Sequence, residues 1–357
     1  MKKNLLAVAI AGVMAVPAAG FAAGPTLYGQ AHISLDYIDN TSDNALRTSS
    51  NSSRFGIKGS QELSDSLSAI YLFEWGVDMG NDKDVLVNRN QYAGFKHDAF
   101  GTLVMGRHDT PTKVIGRKVD LFWSTQLGQN RALVAGNNSD ARPPQVLGYI
   151  SPNFGPVHVF GAYIADLGGV GTNLDPAVDD NDNNAFSIAA IYDQGGLFAA
   201  VSYDWFNDKG GLANEGGNAE APQNLRVVGK YGWNNFTVSG LFQYNNNLVG
   251  FDDNQWLAGG GLAYKMGKNT LKGQVYYAGE QDKTDDTEAL QFALGWDRNL
   301  SKATAAYVAF SGIQPGSNAA NARGVTYALG GPGHGFNLPV VSDEFEWGIS
   351  AGYRIKF

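Results

Sequence analysis

The sequence predicts an all-β fold, a transmembrane antiparallel β-barrel of about sixteen strands. Three observations carry that prediction. The stretch from Glu344 to Phe357 sets Phe345, Trp347, Ile349, Ala351, Tyr353, Ile355 and Phe357 on alternate positions, with Glu346, Gly348, Ser350, Gly352, Arg354 and Lys356 between them. A period of two over such a run is an extended strand with one apolar and one wet face. It is longer than the ordinary strand of about 5–6 residues and suits the about 9–11 tilted residues that cross a bilayer. A lone spanning strand would turn unpaired amides to lipid, so the remainder of the chain must close the sheet. Second, short turns alternate with long polar connections along the chain. Third, charged residues make up only 17% of the sequence while mean hydropathy is −0.22. Transmembrane helices would raise that mean, whereas alternating strands cancel within any window.

The elements follow in order. Residues 1–22 carry Lys2 and Lys3, an apolar run broken by Pro17, and Gly20-Phe21-Ala22 as a small-x-small cleavage site. This is the pattern of a secretory signal peptide, leaving one barrel domain over residues 23–357. From Thr26 to Ile38, Leu27, Gly29, Ala31, Ile33, Leu35 and Tyr37 alternate with Tyr28, Gln30, His32, Ser34 and Asp36. A polar stretch to Ser52 follows, then a run from Arg54 to Leu63 that turns through Ser64-Asp65 into Leu67 to Val77. Further short turns are expected near Asp98, Asn153, Gly195, Asn234, Gly267 and Leu300, where Gly, Asn and Asp interrupt alternating runs. Long acidic, Asn/Gly-rich connections lie at the opposite ends. The parity of Val87 to Lys96 and of Val146 to Ser151 cannot be read from alternation alone. Short turns at one end and long loops at the other are the mark of an outer-membrane barrel.

Cysteine is absent, which excludes a disulfide framework and a thiolate metal site. Net charge is −8, or −10 without the leader lysines, which argues against nucleic acid as a partner. The acidic run Asp175 to Asn184 lacks the Gly and closing Glu of a calcium loop, and the five histidines show no i, i+4 pair or serine elbow. No cofactor is expected, and no catalytic constellation points to an enzyme.

Several segments carry a family resemblance: Thr26-Leu27-Tyr28-Gly29, Ser53 to Gly59, Phe100 to Arg107, Ser151-Pro152-Asn153-Phe154-Gly155, and the terminal Tyr353-Arg354-Ile355-Lys356-Phe357. In this order the chain resembles the Gram-negative general diffusion porins. The resemblance implies a homotrimer in the outer membrane, beside lipopolysaccharide, whose third long loop folds inward to narrow a channel for small hydrophilic solutes. Tyr353 and Phe357 are similar to the signal read by the barrel-assembly machinery. The Pro-Glu-Phe-Gly-Gly motif of enteric members is missing, so the acid of that loop has no assigned position.

A pore selects by radius and by wall charge. Arg54 and Lys58 share the inward parity of their strand, Arg107 ends the strand entering the third loop, and Arg142 lies where the chain returns. Within the loop Lys113, Arg117, Lys118 and Arg131 face Asp109, Asp120 and Asp140. This local basic excess in an acidic chain predicts a weak anion preference, because charges at a narrow gap act at shorter range than those at the mouth. Asp120 would cancel part of it if the loop folds that acid over the cluster, a position no motif assigns. A substrate-specific channel of the same fold, and a barrel acting mainly as an adhesin, remain alternatives.

Overall fold

The computed structural model describes residues 24–80, 86–134, 139–166, 184–207, 221–248, 252–330 and 338–357. The leader and the acidic 175–182 run lie outside them. The first wall comprises β1 (Thr26–Asp39), β2 (Asn44–Ser50), β3 (Arg54–Ser64), β4 (Leu67–Val77), β5 (Leu86–His97) and β6 (Gly101–Arg107). After a long connection come β7 (Val146–Ile150), β8 (Val157–Ile164), β9 (Ala185–Gln194), β10 (Leu197–Phe206), β11 (Gln223–Trp233) and β12 (Phe236–Asn246). The circuit ends with β13 (Gln255–Met266), β14 (Asn269–Ala278), β15 (Ala289–Asn299), β16 (Thr304–Pro315) and β17 (Glu346–Lys356).

Sequential neighbours pair antiparallel, and β1 closes on β17 with Ile33 opposite Tyr353 and Tyr37 opposite Ile349. Both β2 and β3 pair with β1, so together they form one bent stave and the barrel has sixteen. The seam is completed by Phe357, whose amide donates to Gly29 O at 3.1 Å and whose carbonyl accepts from Gly29 N at 2.9 Å. Gly29 is required there, since a Cβ would meet the Phe357 ring and sit 2.7 Å from Arg54 O. Among the described residues no helix is long and apolar enough to cross a membrane. The strands do the spanning.

The alternation predicts the faces. Leu27, Leu35, Ile349, Tyr353 and Ile355 open outward, while Ser34, Asp36 and Ser350 are enclosed. Aromatic rings gather at both ends of the outward face. Tyr231, Trp233, Phe236 and Tyr264 form a chain near the short turns, with centroids 5.8, 5.5 and 4.6 Å apart. Trp256–Tyr277 and Phe310–Trp347 lie toward the long loops. Such girdles mark the two interfaces of a bilayer.

Three local features depart from the alternation. The polar stretch after β1 is a tight turn followed by strand β2, not a loop. Asn40 Oδ1 accepts from Asp43 N at 2.8 Å, and the β1 backbone then supplies a ladder that the side chains of β2 do not advertise. The stave bends where Ser52 takes a φ of 56°. In β5, Gln91 faces Phe73 and Asn88 faces Trp75, so Arg89 and Asn90 together oppose Glu74. This bulge shifts parity by one residue, which is why the strand does not read cleanly. In β7 the inward Val146 and Ile150 are apolar because Val114 of the inner loop covers them. Both faces of that strand are therefore hydrophobic.

The inner loop, residues 108–145, carries the helices α1 (Pro111–Val119) and α2 (Arg131–Val134). Thr110 caps α1 by accepting from Lys113 N at 3.2 Å, with Pro111 in the first turn, where its missing N–H costs nothing. Ile115 and Val119 join Ala189, Ile191, Phe198, Ala200 and Val228 from the inward faces of β9–β11. Tyr327, Leu329 and Val340 of the last long connection enter the same cluster. The lumen is thus filled from one side; on β3–β5, Leu72 and Tyr92 pack in a smaller cluster with Val104, and the inward Arg54, Lys58 and Arg89 are only partly covered.

Candidate pore constriction

Two carboxylates organise the open side. Glu74, inward on β4, lies 3.2 Å from Arg54 Nε and 2.6 Å from Arg89 Nε, and accepts from Tyr28 Oη at 2.9 Å. The bulge in β5 gives Arg89 its inward direction and frees Asn90 to reach the loop. Asn90 Oδ1 accepts from Asp109 N at 3.0 Å and from Arg142 Nε at 3.1 Å. Asp109, at the loop's entry, is almost fully buried and meets Arg142 at 2.8 Å, Arg117 at 3.1 Å and Lys113 at 3.3 Å. Burial opposes its ionisation, but Arg142, Lys113 and Arg117 outweigh that and hold the carboxyl well below the usual range. Burial likewise pushes the Lys113 ammonium down to about 7. Five cations thus surround two carboxylates, leaving two to three net positive charges according to the state of Lys113.

The other expected residues sort as follows. Arg107 donates to Arg142 O at 2.9 Å, so it joins the group through the returning backbone and not through Asp109. Lys58 lies inward with its Nζ 5.4 Å from the Tyr28 ring centroid. Arg131 pairs with Asp140 at 3.1 Å and lies 5.6 Å from the Trp123 centroid, so it belongs to a second group. Asp120 does not fold over the cations. It accepts from Phe122 N, Asn130 N and Gln274 Nε2 at 2.9, 3.0 and 2.9 Å, which pins the loop to β14. Burial raises its carboxyl to about 6.

Sequence reading missed Glu74, Arg89 and Arg226. Glu74 was legible from the inward parity of β4, and Arg89 was hidden by the bulge. Arg226, on β11, is completely buried and spends every N–H on the loop and its neighbour. Its Nε reaches Gln243 at 2.6 Å, its Nη1 Thr112 O and Asp140 at 3.1 and 2.9 Å, and its Nη2 Val134 O and Ser139 Oγ at 3.2 and 3.1 Å. Gly116 of α1 admits the guanidinium, which a Cβ would strike. An arginine between Leu225 and Val227 on a lipid-facing strand was its sequence signal.

A closed barrel, its girdles and a charged internal loop fix the architecture. Residues 6–314 match the family model described as Gram-negative porin. The chain belongs to the Gram-negative porin family. This porin is 28% identical over 382 residues to outer membrane porin protein 32 of Delftia acidovorans, covering 100% of both chains. It is 24% identical over 360 residues to the major outer membrane protein P.IB of Neisseria gonorrhoeae, covering 89% of this chain and 95% of that one. Its fold is similar to that of an anion-selective porin from Comamonas acidovorans, with a TM-score of 0.78 at 23% identity over 94% of this chain and 99% of the other. Family and fold alike place the porin in the outer membrane of a Gram-negative cell as a channel-forming barrel.

Proposed function

We propose that this porin is a passive channel for small hydrophilic solutes with a weak anion preference set by the inner loop and the β3–β5 wall. One observation carries the reading: among the described residues Arg54, Arg89, Lys113, Arg117 and Arg142 share only Glu74 and Asp109 in ion pairs. Asp120, the acid that could have neutralised them, bonds to the β14 wall instead. An ion crossing the gap passes these charges at short range and in a reduced dielectric, which raises their weight above that of the acidic loops. Arg107 and Lys58 flank the group, while Arg131 acts through Asp140 to hold the loop. The relative named as an anion-selective porin is consistent with this sign.

Leader removal over residues 1–22, a homotrimeric state and contact with lipopolysaccharide belong to the same proposal, as does engagement of the barrel-assembly machinery by Tyr353 and Phe357. A channel role in place of catalysis belongs to it too, supported by the family match.

The test is a reversal potential in a potassium chloride gradient across a planar bilayer. The native channel should favour chloride, and neutralising Arg54, Arg89 and Arg142 together should move the potential toward potassium. A native channel that favours potassium, with no response to the triple substitution, refutes the reading.

A further inference from the structure

A second basic patch lies at the other end of α1. Lys230 on β11 donates its Nζ to Lys118 O at 2.5 Å, at the carboxyl end of the helix. The Lys118 ammonium sits 5.7 Å from the centroid of Phe198. Phe198 is directly opposite Lys230 on one side and Asp193 on the other, so these groups form one cross-strand row. His158 faces inward on the adjoining β8, opposite Ile191. The row lies close to the short turns at Gly195 and Asn234, whereas the Asp109 cluster sits at the opposite, amino end of α1.

Both lysines are half-buried, and among the described residues neither has a carboxylate within ion-pair distance. Asp193, the row's carboxylate, is exposed. Lys230 uses one of its three N–H groups on the helix carbonyl, and the Lys118 ammonium meets the Phe198 ring. An ammonium above an apolar ring, attracted by Asp193 only from beyond ion-pair distance, is poorly compensated. Burial accordingly pushes Lys118 down to about 7.

We propose that Lys118 and Lys230 form a second anion station on the short-turn side of the inner loop, which takes a small multivalent oxyanion. An oxyanion supplies several acceptors to the spare ammonium protons in a confined space, which a monovalent halide cannot. The station rests on the anion-preferring reading only in that anions must reach it through the lumen.

Inorganic phosphate is the probe. It is added to either side of single channels recorded in a potassium chloride background. Phosphate from the short-turn side should reduce the open-channel current saturably, at a lower concentration than from the long-loop side. Lys118→Gln and Lys230→Gln should each raise the half-blocking concentration roughly tenfold, as expected for loss of a charge-assisted contact. Lys230→Arg, which keeps the charge, should retain block. Equal block from both sides, no block, or block unchanged in both glutamine variants overturns the station. Chloride preference in the same recordings reports separately on the constriction, so either reading can fail without the other. Should either glutamine variant not assemble, the side-dependence of native block still decides the question.

Discussion

Replacing Arg226 by Met removes the guanidinium that joins the barrel wall to the inner loop. Asp140 Oδ1, Thr112 O, Val134 O and Ser139 Oγ each lose a donor, and all are buried. Removing one partner of a buried ion pair costs about 3–5 kcal/mol. Asp140 keeps Arg131 at 3.1 Å and Val134 O keeps Gln243 at 3.0 Å, so the loss falls near the lower end, about 3 kcal/mol. At about 1.4 kcal/mol per decade that lowers the seated-to-unseated ratio of the loop by roughly a hundredfold. The β11 ladders to β10 and β12 run through backbone groups and are untouched. The barrel should therefore assemble and keep its heat-modifiable migration, while single-channel records become noisy and larger neutral sugars permeate. Arg226→Lys, which keeps the charge and loses the fork, should fall between the two. A Met variant with native conductance, quiet openings and an unchanged size limit would refute this account of what holds the loop.

Further outcomes are specific. Ile349→Arg should cost about 2–4 kcal/mol near the bilayer midplane and prevent insertion, whereas the inward Arg354→Gln should fold normally; urea unfolding in lipid vesicles measures both. Deleting Phe357 removes both hydrogen bonds to Gly29 and should slow barrel closure, read as delayed appearance of the heat-modifiable form. Lys113 carries a positive charge below its value of about 7 and loses it above, so chloride preference should weaken as pH rises through neutrality. Lys113→Met should shrink that pH-dependent component in reversal-potential measurements across the same range.

The barrel was legible because its signal is local and repeated. Each strand such as Phe236–Asn246 shows its lipid face directly in the spacing of Phe236, Val238, Phe242 and Tyr244. The constriction was less legible, for reasons that differ by residue. Arg107 and Arg142 were visible as charges at the loop's two ends, and Arg54 through the inward parity of its strand. Arg89 was not, because the bulge places it inward only through the register that Gln91 and Asn88 hold with β4. Strand β2 escaped notice because its order comes from the backbone of β1, and Leu46 is almost its only apolar side chain. Asp120 could not be placed since its partners, Gln274 and the amides of Phe122 and Asn130, meet it only after the loop has crossed the lumen. Ser350 was correctly inward, yet it is fully covered beside Asp36, where parity alone suggested contact with water.

Seating two loops against β7–β16 divides the interior into regions with different rules of change. On that half, inward positions such as Val228, Ala200 and Leu257 touch other side chains and behave like the centre of a soluble protein, intolerant of altered volume. On the β3–β5 half, Leu72 and Tyr92 pack with Val104, but Arg54, Lys58 and Arg89 are only partly covered, and a substitution at those three alters the electric field more than the packing. On the proposed reading, a lineage can retune which ions pass by changing these few charged positions on three adjacent strands. The inner loop, and the wall that holds it, can stay fixed meanwhile.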